Sequence, residues 1–66
     1  MHQQIRAFKT REEIEFERLH ILHLEQDYEL LSLHQALEQH DNKGIIRSKQ
    51  RLKEIHEEMV EVQQYI

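Results

Sequence analysis

Sixty-six residues make one small domain at most, with no room for a catalytic core beside a substrate domain. One Gly, no Pro, no Cys and a charged third favour long helices with few turns, and they remove disulfides, thiolate ligands and thiol chemistry. A net charge of −4 lacks the basic footprint of a nucleic-acid binder, and no apolar run reaches the ~18 residues that cross a bilayer.

The start of the chain has no apolar run of the kind a signal peptide carries. The expectation is therefore a cytoplasmic protein that binds neither nucleic acid nor membrane. Residues 1–10 read as an N-terminal arm, with Ile5, Ala7 and Phe8 among polar and basic neighbours. Thr10-Arg11-Glu12-Glu13 fits a capping box, in which the Thr hydroxyl serves the N3 amide and Glu13 reaches back. Helix 1 is expected over 11–41, a turn at 42–44 and helix 2 over 45–66. In that turn Asn42 and Gly44 are the residues that accept a left-handed backbone.

At roughly 100° per residue, helix 1 carries two apolar stripes. Leu19, Leu22, Leu30, Leu33 and Leu37 fall on one side. Ile14, Ile21, Leu24, Tyr28 and Leu31 fall nearly opposite. Helix 2 places Ile45, Ser48, Leu52, Ile55, Met59, Val62 and Ile66 at alternating spacings of three and four, the seam of a coiled coil. Folding helix 2 back over the turn sets Leu37 against Ser48, Leu33 against Leu52, Leu30 against Ile55, Gln26 against Met59 and Leu19 against Ile66. The predicted fold is all-α, an antiparallel two-helix hairpin forming one domain over 1–66. Its predicted core is Leu19, Leu22, Leu30, Leu33 and Leu37 with Leu52, Ile55, Met59, Val62 and Ile66.

A surface helix needs only one apolar face, so the second stripe asks for a partner. Small scaffolds without staples commonly oligomerise for this reason. Ile14, Ile21, Leu24, Tyr28 and Leu31 are therefore the expected oligomer interface, and two hairpins joined there give a homodimeric four-helix bundle.

Charges are sorted along the chain. Residues 19–42 hold Glu25, Asp27, Glu29, Glu38 and Asp41 with no Lys or Arg, and residues 43–53 hold Lys43, Arg47, Lys49, Arg51 and Lys53 with no acid. The expected register lays the basic block beside the acids near the turn. It sets Glu25, Asp27 and Glu29 level with Glu57, Glu58 and Glu61.

Six histidines are many for this length. His20, His23 and Asp27 have spacings that can hold a metal from one helix face, and His34 and His56 are candidate phosphoryl carriers. Without Cys or a compact His-rich cluster, the expectation is no cofactor, with these residues as polar boundaries of the stripes. The size, the hairpin and the stretch Ser48-Lys49-Gln50-Arg51-Leu52-Lys53 resemble the sporulation stage-zero aspartyl-phosphate phosphatases, short hairpins that act on response regulators. That family's second helix carries a Ser-x-x-Leu-Asp type signature. Here Leu is displaced and no Asp follows, so no catalytic residue carries over. The reading is a non-enzymatic interaction module, a self-associating hairpin that binds another protein as regulator or adaptor. The alternatives are a phosphatase-like regulator of response regulators and a His-based metal or phosphoryl carrier.

Overall fold

The computed structural model describes residues 9–66. The expected arm contacts of Ile5, Ala7 and Phe8 lie outside them. Two helices, α1 (Arg11–Glu38) and α2 (Asn42–Gln63), pack against each other as a helical hairpin. The first turn of α1 is set by the capping box. Thr10 is extended, its hydroxyl accepts the Glu13 N–H at 3.1 Å, and its own N–H donates to the Glu13 carboxylate at 3.0 Å.

The turn comes earlier than the sequence suggested. α1 ends at Glu38, and the Asp41 N–H donates to the Ala36 carbonyl at 2.8 Å while the His40 N–H donates to that of Leu37 at 3.3 Å. This is the Schellman arrangement, and its left-handed residue is His40, at φ 55°. The expected turn residues Asn42, Lys43 and Gly44 are helical instead. Asp41 caps α2 by accepting the Gly44 N–H at 3.1 Å. An Asp three residues before Gly made a better start than Gly made a stop, because the cap satisfies an amide that a turn would leave to solvent. Gly44 is needed for space. A Cβ there would lie 3.2 Å from the Cβ of Ala36, so the two helices meet closely beside the turn.

Moving the turn moves the register. Ile55, expected opposite Leu30, packs in one cluster with Leu22, Met59 and Val62, with Leu19 against its edge. Arg51 reaches Glu25 and Arg18 reaches Glu61, which confirms the shift and the antiparallel sense. The face of α1 turned to α2 therefore runs through Glu15, Leu22 and Ala36, all buried, at heptad spacing. Leu30 and Leu37 each follow a position of this line by one residue, about 100° around the helix, and they stay half exposed at 50% and 51%. Ile66 lies beyond the end of α2 and is exposed as well. These three are not hairpin core. Leu22, Ile55, Met59 and Val62 are, with Leu19 packed against their edge, while Leu33 and Leu52 are half-buried.

The seam also changes along its length. Away from the turn it is apolar around Leu22, Ile55, Met59 and Val62, with Glu15 buried at the open end. Towards the turn it is lined by Glu29, Ser32, Ala36, Gly44 and Ser48, which leave an open groove of about 430 Å³ between the helices.

Candidate interaction surfaces

The two edges of the seam differ in chemistry. One edge is ionic. Glu15 is buried at the open end and accepts from Arg11 Nε at 2.9 Å and from Arg18 at 3.5 Å. Arg18 also reaches across to Glu61 at 3.3 Å, and the Arg11 guanidinium lies 4.0 Å over the Tyr65 ring. Further along, Arg51 bonds Glu25 at 2.9 Å and Glu54 at 3.3 Å, with Glu58 at 4.0 Å. Hydrogen bonding to Glu25 raises the Arg51 pKa above its ordinary value, and bonding to Glu15 does the same for Arg11. The earlier turn thus draws Glu25 onto a cation, where the expected register had set it among Glu57, Glu58 and Glu61.

The other edge is apolar. Helical geometry puts Phe16, Leu19, Leu30, Leu33 and Leu37 there from α1, all one or four residues after the line that faces α2. From α2 it receives Leu52 and Met59, each four residues after a buried position, with Ile45 in the first turn, and Ile66 follows the end of the helix. Since Arg18, Glu25 and Arg51 occupy the opposite side of both helices, these apolar residues share one side of the hairpin. Phe16, Leu30, Leu37 and Ile66 are exposed, and Leu19, Leu33, Ile45 and Leu52 are half covered. Most of the stripe read as hairpin core is thus a face built jointly by two helices.

A second apolar surface runs along the back of α1. Ile14, Ile21, Leu24, Tyr28 and Leu31 are 48–67% exposed. At Tyr28 it borders the groove that Arg47 and Arg51 of α2 also line.

The histidines do not converge. His20, His23, His34, His40 and His56 are exposed, and the His34 ring meets Glu38 of its own helix at 3.4 Å. Among the described residues no group of three or more His, Cys, Asp or Glu is placed to hold a metal, so His20, His23 and Asp27 are not gathered into a centre. Ser48, which opens the phosphatase-like stretch, is buried in the seam. The groove beside it is lined by carboxylates, guanidiniums, amides and the hydroxyls of Ser32, Ser48 and Tyr28, without His or Cys. Among the described residues no helix is long and apolar enough to cross a membrane.

A family model described as YkzI matches residues 2–62, nearly the whole chain. The chain belongs to the YkzI family. No curated protein and no solved structure matches it. Membership covers both helices and both apolar surfaces, and it attaches no chemistry to any residue.

Sequence reasoning missed Glu15 and Ala36, which are buried, and Phe16, which is exposed at 58%. The heptad relation of Glu15 and Ala36 to Leu22 was present in the chain. It is silent on a hydrophobicity scale, because one position is a carboxylate and another a methyl group.

Proposed function

We propose that the protein is a non-enzymatic interaction module of the cytoplasm. It is a helical hairpin that pairs with a second copy as a four-helix bundle and serves as a small regulator or adaptor for another protein. The observation that carries this reading is the apolar face spanning both helices. A four-helix bundle requires each hairpin to offer apolar residues from both of its helices to the shared core, and the edge holding Leu30, Leu33, Leu37, Ile45 and Leu52 does so. The ionic edge, with Arg51 satisfied by three carboxylates, offers no comparable gain.

On this reading self-association uses the two-helix face in place of the expected interface of Ile14, Ile21, Leu24, Tyr28 and Leu31, which is left for other contacts. Sedimentation equilibrium, with helicity followed by circular dichroism, is the test. The expected result is a dimer for the parent chain and a monomer for Leu30→Asp, whose buried unpaired charge the bundle core cannot accept. A parent chain that remains monomeric at high concentration would sink the reading.

A further inference from the structure

We infer that pairing of two copies builds a zinc site between them, in which His20 and His23 of one chain and the partner's His56 hold the metal, twice in each dimer. This rests on self-association through the two-helix apolar face, and it adds a ligand to that face.

His23 follows the buried Leu22 by one residue, and His56 follows the buried Ile55 by one. The same offset turns Leu30 and Leu37 to the apolar edge. Each histidine therefore leaves its helix towards the second copy, about 100° from the line joining α1 to α2. The two also stand level. Arg18 reaches Glu61 across the seam, and His23 lies five residues after Arg18 while His56 lies five before Glu61. Within one chain they leave neighbouring helices side by side, and no group of three ligands forms among the described residues. His20, three residues before His23, is its neighbour on the helix surface at the outer border of the face.

Charge selects how the copies pair. A two-fold axis can join the faces with both turns at one end, setting α1 against the partner's α2, or with the turns at opposite ends, setting each helix against its own copy. Asp27, a turn after His23, borders the face on α1. Lys49 and Lys53, one and five residues after the buried Ser48, border it on α2. None of these three has an ion-pair partner among the described residues. Asp27 lies nine residues after Arg18 and Lys53 eight before Glu61, so they too share a level to within one residue. Pairing with the turns apart, about the middle of the face, brings Lys53 near Lys53 and Asp27 near Asp27. Pairing with the turns together sets Asp27 against the partner's Lys53 and Lys49, on both sides of the axis, and opposite charge favours that register. Every residue then keeps its own level, so His23 meets the partner's His56 head-on. Three imidazoles from two facing helices are the donor set of an open zinc site, with the fourth position left to water.

The test is zinc uptake by the full chain in equilibrium dialysis at neutral pH, with sedimentation of the same samples. The parent is expected to take up about one Zn²⁺ per chain and to dimerise more tightly with the metal than without it. His23→Gln and His56→Gln should each weaken uptake by at least about tenfold, since even a group behind a ligand is worth ~10–100-fold. His34→Gln should leave it unchanged. Mixing the variants separates a site within one chain from a site between two. His23→Gln keeps His56, and His56→Gln keeps His20 and His23, so a mixed dimer holds one complete site. An equimolar mixture should therefore regain zinc uptake that neither variant has alone. A parent that stays monomeric with and without Zn²⁺ overturns the self-association and the site with it, whereas a dimer that takes up no Zn²⁺ overturns the site alone. The site is also overturned if the mixture binds no better than its components, or if His56→Gln binds as tightly as the parent.

Discussion

Gly44→Ala is the substitution on which propensity and packing disagree most clearly. In a helix interior the change is worth about 0.8–1.0 kcal/mol in favour of Ala, and position 44 lies in the first turn, so that gain is an upper bound. Against it stand two contacts. The added Cβ would sit 2.5 Å from Asp41 Oδ2 and 3.0 Å from its Cγ, so the carboxylate must swing away from the amide it caps. Losing an N-cap costs about 1 kcal/mol. The same Cβ lies 3.2 Å from the Ala36 Cβ, where both helices must separate slightly, and crowding of that kind costs about 1–3 kcal/mol. The net expectation is a loss of about 1–3 kcal/mol, which in a domain this small lowers Tm by roughly 4–24 °C. Urea and thermal melts by circular dichroism at one fixed protein concentration measure it. An Asp41→Ala background isolates the cause, because only the Ala36 contact then opposes the new methyl. There the cost of Gly44→Ala should shrink by about 1 kcal/mol. Greater stability of Gly44→Ala than of the parent refutes the close-approach argument, and the same cost in both backgrounds refutes the displacement of the Asp41 cap.

His40→Gly should stabilise the hairpin by about 1 kcal/mol in the same melts, since a left-handed residue with a Cβ is strained and Gly is not; no gain would mean that the imidazole contributes something the turn needs. Ile55→Ala, at a fully buried position, should cost about 2–4 kcal/mol, and a loss under 1 kcal/mol would place the core elsewhere. Glu13 provides the pH dependence. Accepting the Thr10 backbone N–H holds its carboxyl below the ordinary value, so its contribution is present above the unfolded value of ~4.3 and is lost as pH falls through the folded one. Glu13→Gln should therefore be less stable than the parent near neutral pH, with the deficit closing in acid; a deficit independent of pH contradicts the cap assignment.

How far the sequence could be read is clearest at the turn. The capping box at Thr10 was legible because its two side chains and their spacing are the whole mechanism. The helical hairpin was legible because one break separates two apolar-periodic segments. The break itself rests in the sequence on Asn42 and Gly44, residues whose permissiveness usually marks a turn. Asp41 carried the competing signal, an N-cap, and it prevailed. That displacement took Leu30 and Leu37 out of the seam and brought Glu15 and Ala36 in, while Leu22 and Val62 still share the core cluster. Periodicity gives the rows of a helix. It does not say which row faces the neighbour when several are apolar. The ion pair between Glu25 and Arg51 was hidden for the same reason, since it exists only in the shifted register.

The buried apolar set among the described residues is Leu22, Ala36, Ile55, Met59 and Val62, while twelve larger apolar side chains stay exposed. Such an excess outside is a hazard unless association is directed. The ionic edge supplies direction. Its arginines are already satisfied within the chain, so docking a second copy there would strip water from paired charges without offering new partners. The apolar edge has no such obstacle, and Leu33, Ile45 and Leu52 are already partly dry before any partner arrives. On the proposed reading the ion pairs therefore do less to hold the two helices together than to determine where the hairpin does not associate. Replacing Arg51 by Met would test that role: the hairpin should keep its helicity, while the single dimeric species of the parent should give way to mixed or larger assemblies in sedimentation. A variant that remained a uniform dimer would show that the apolar edge selects its partner unaided.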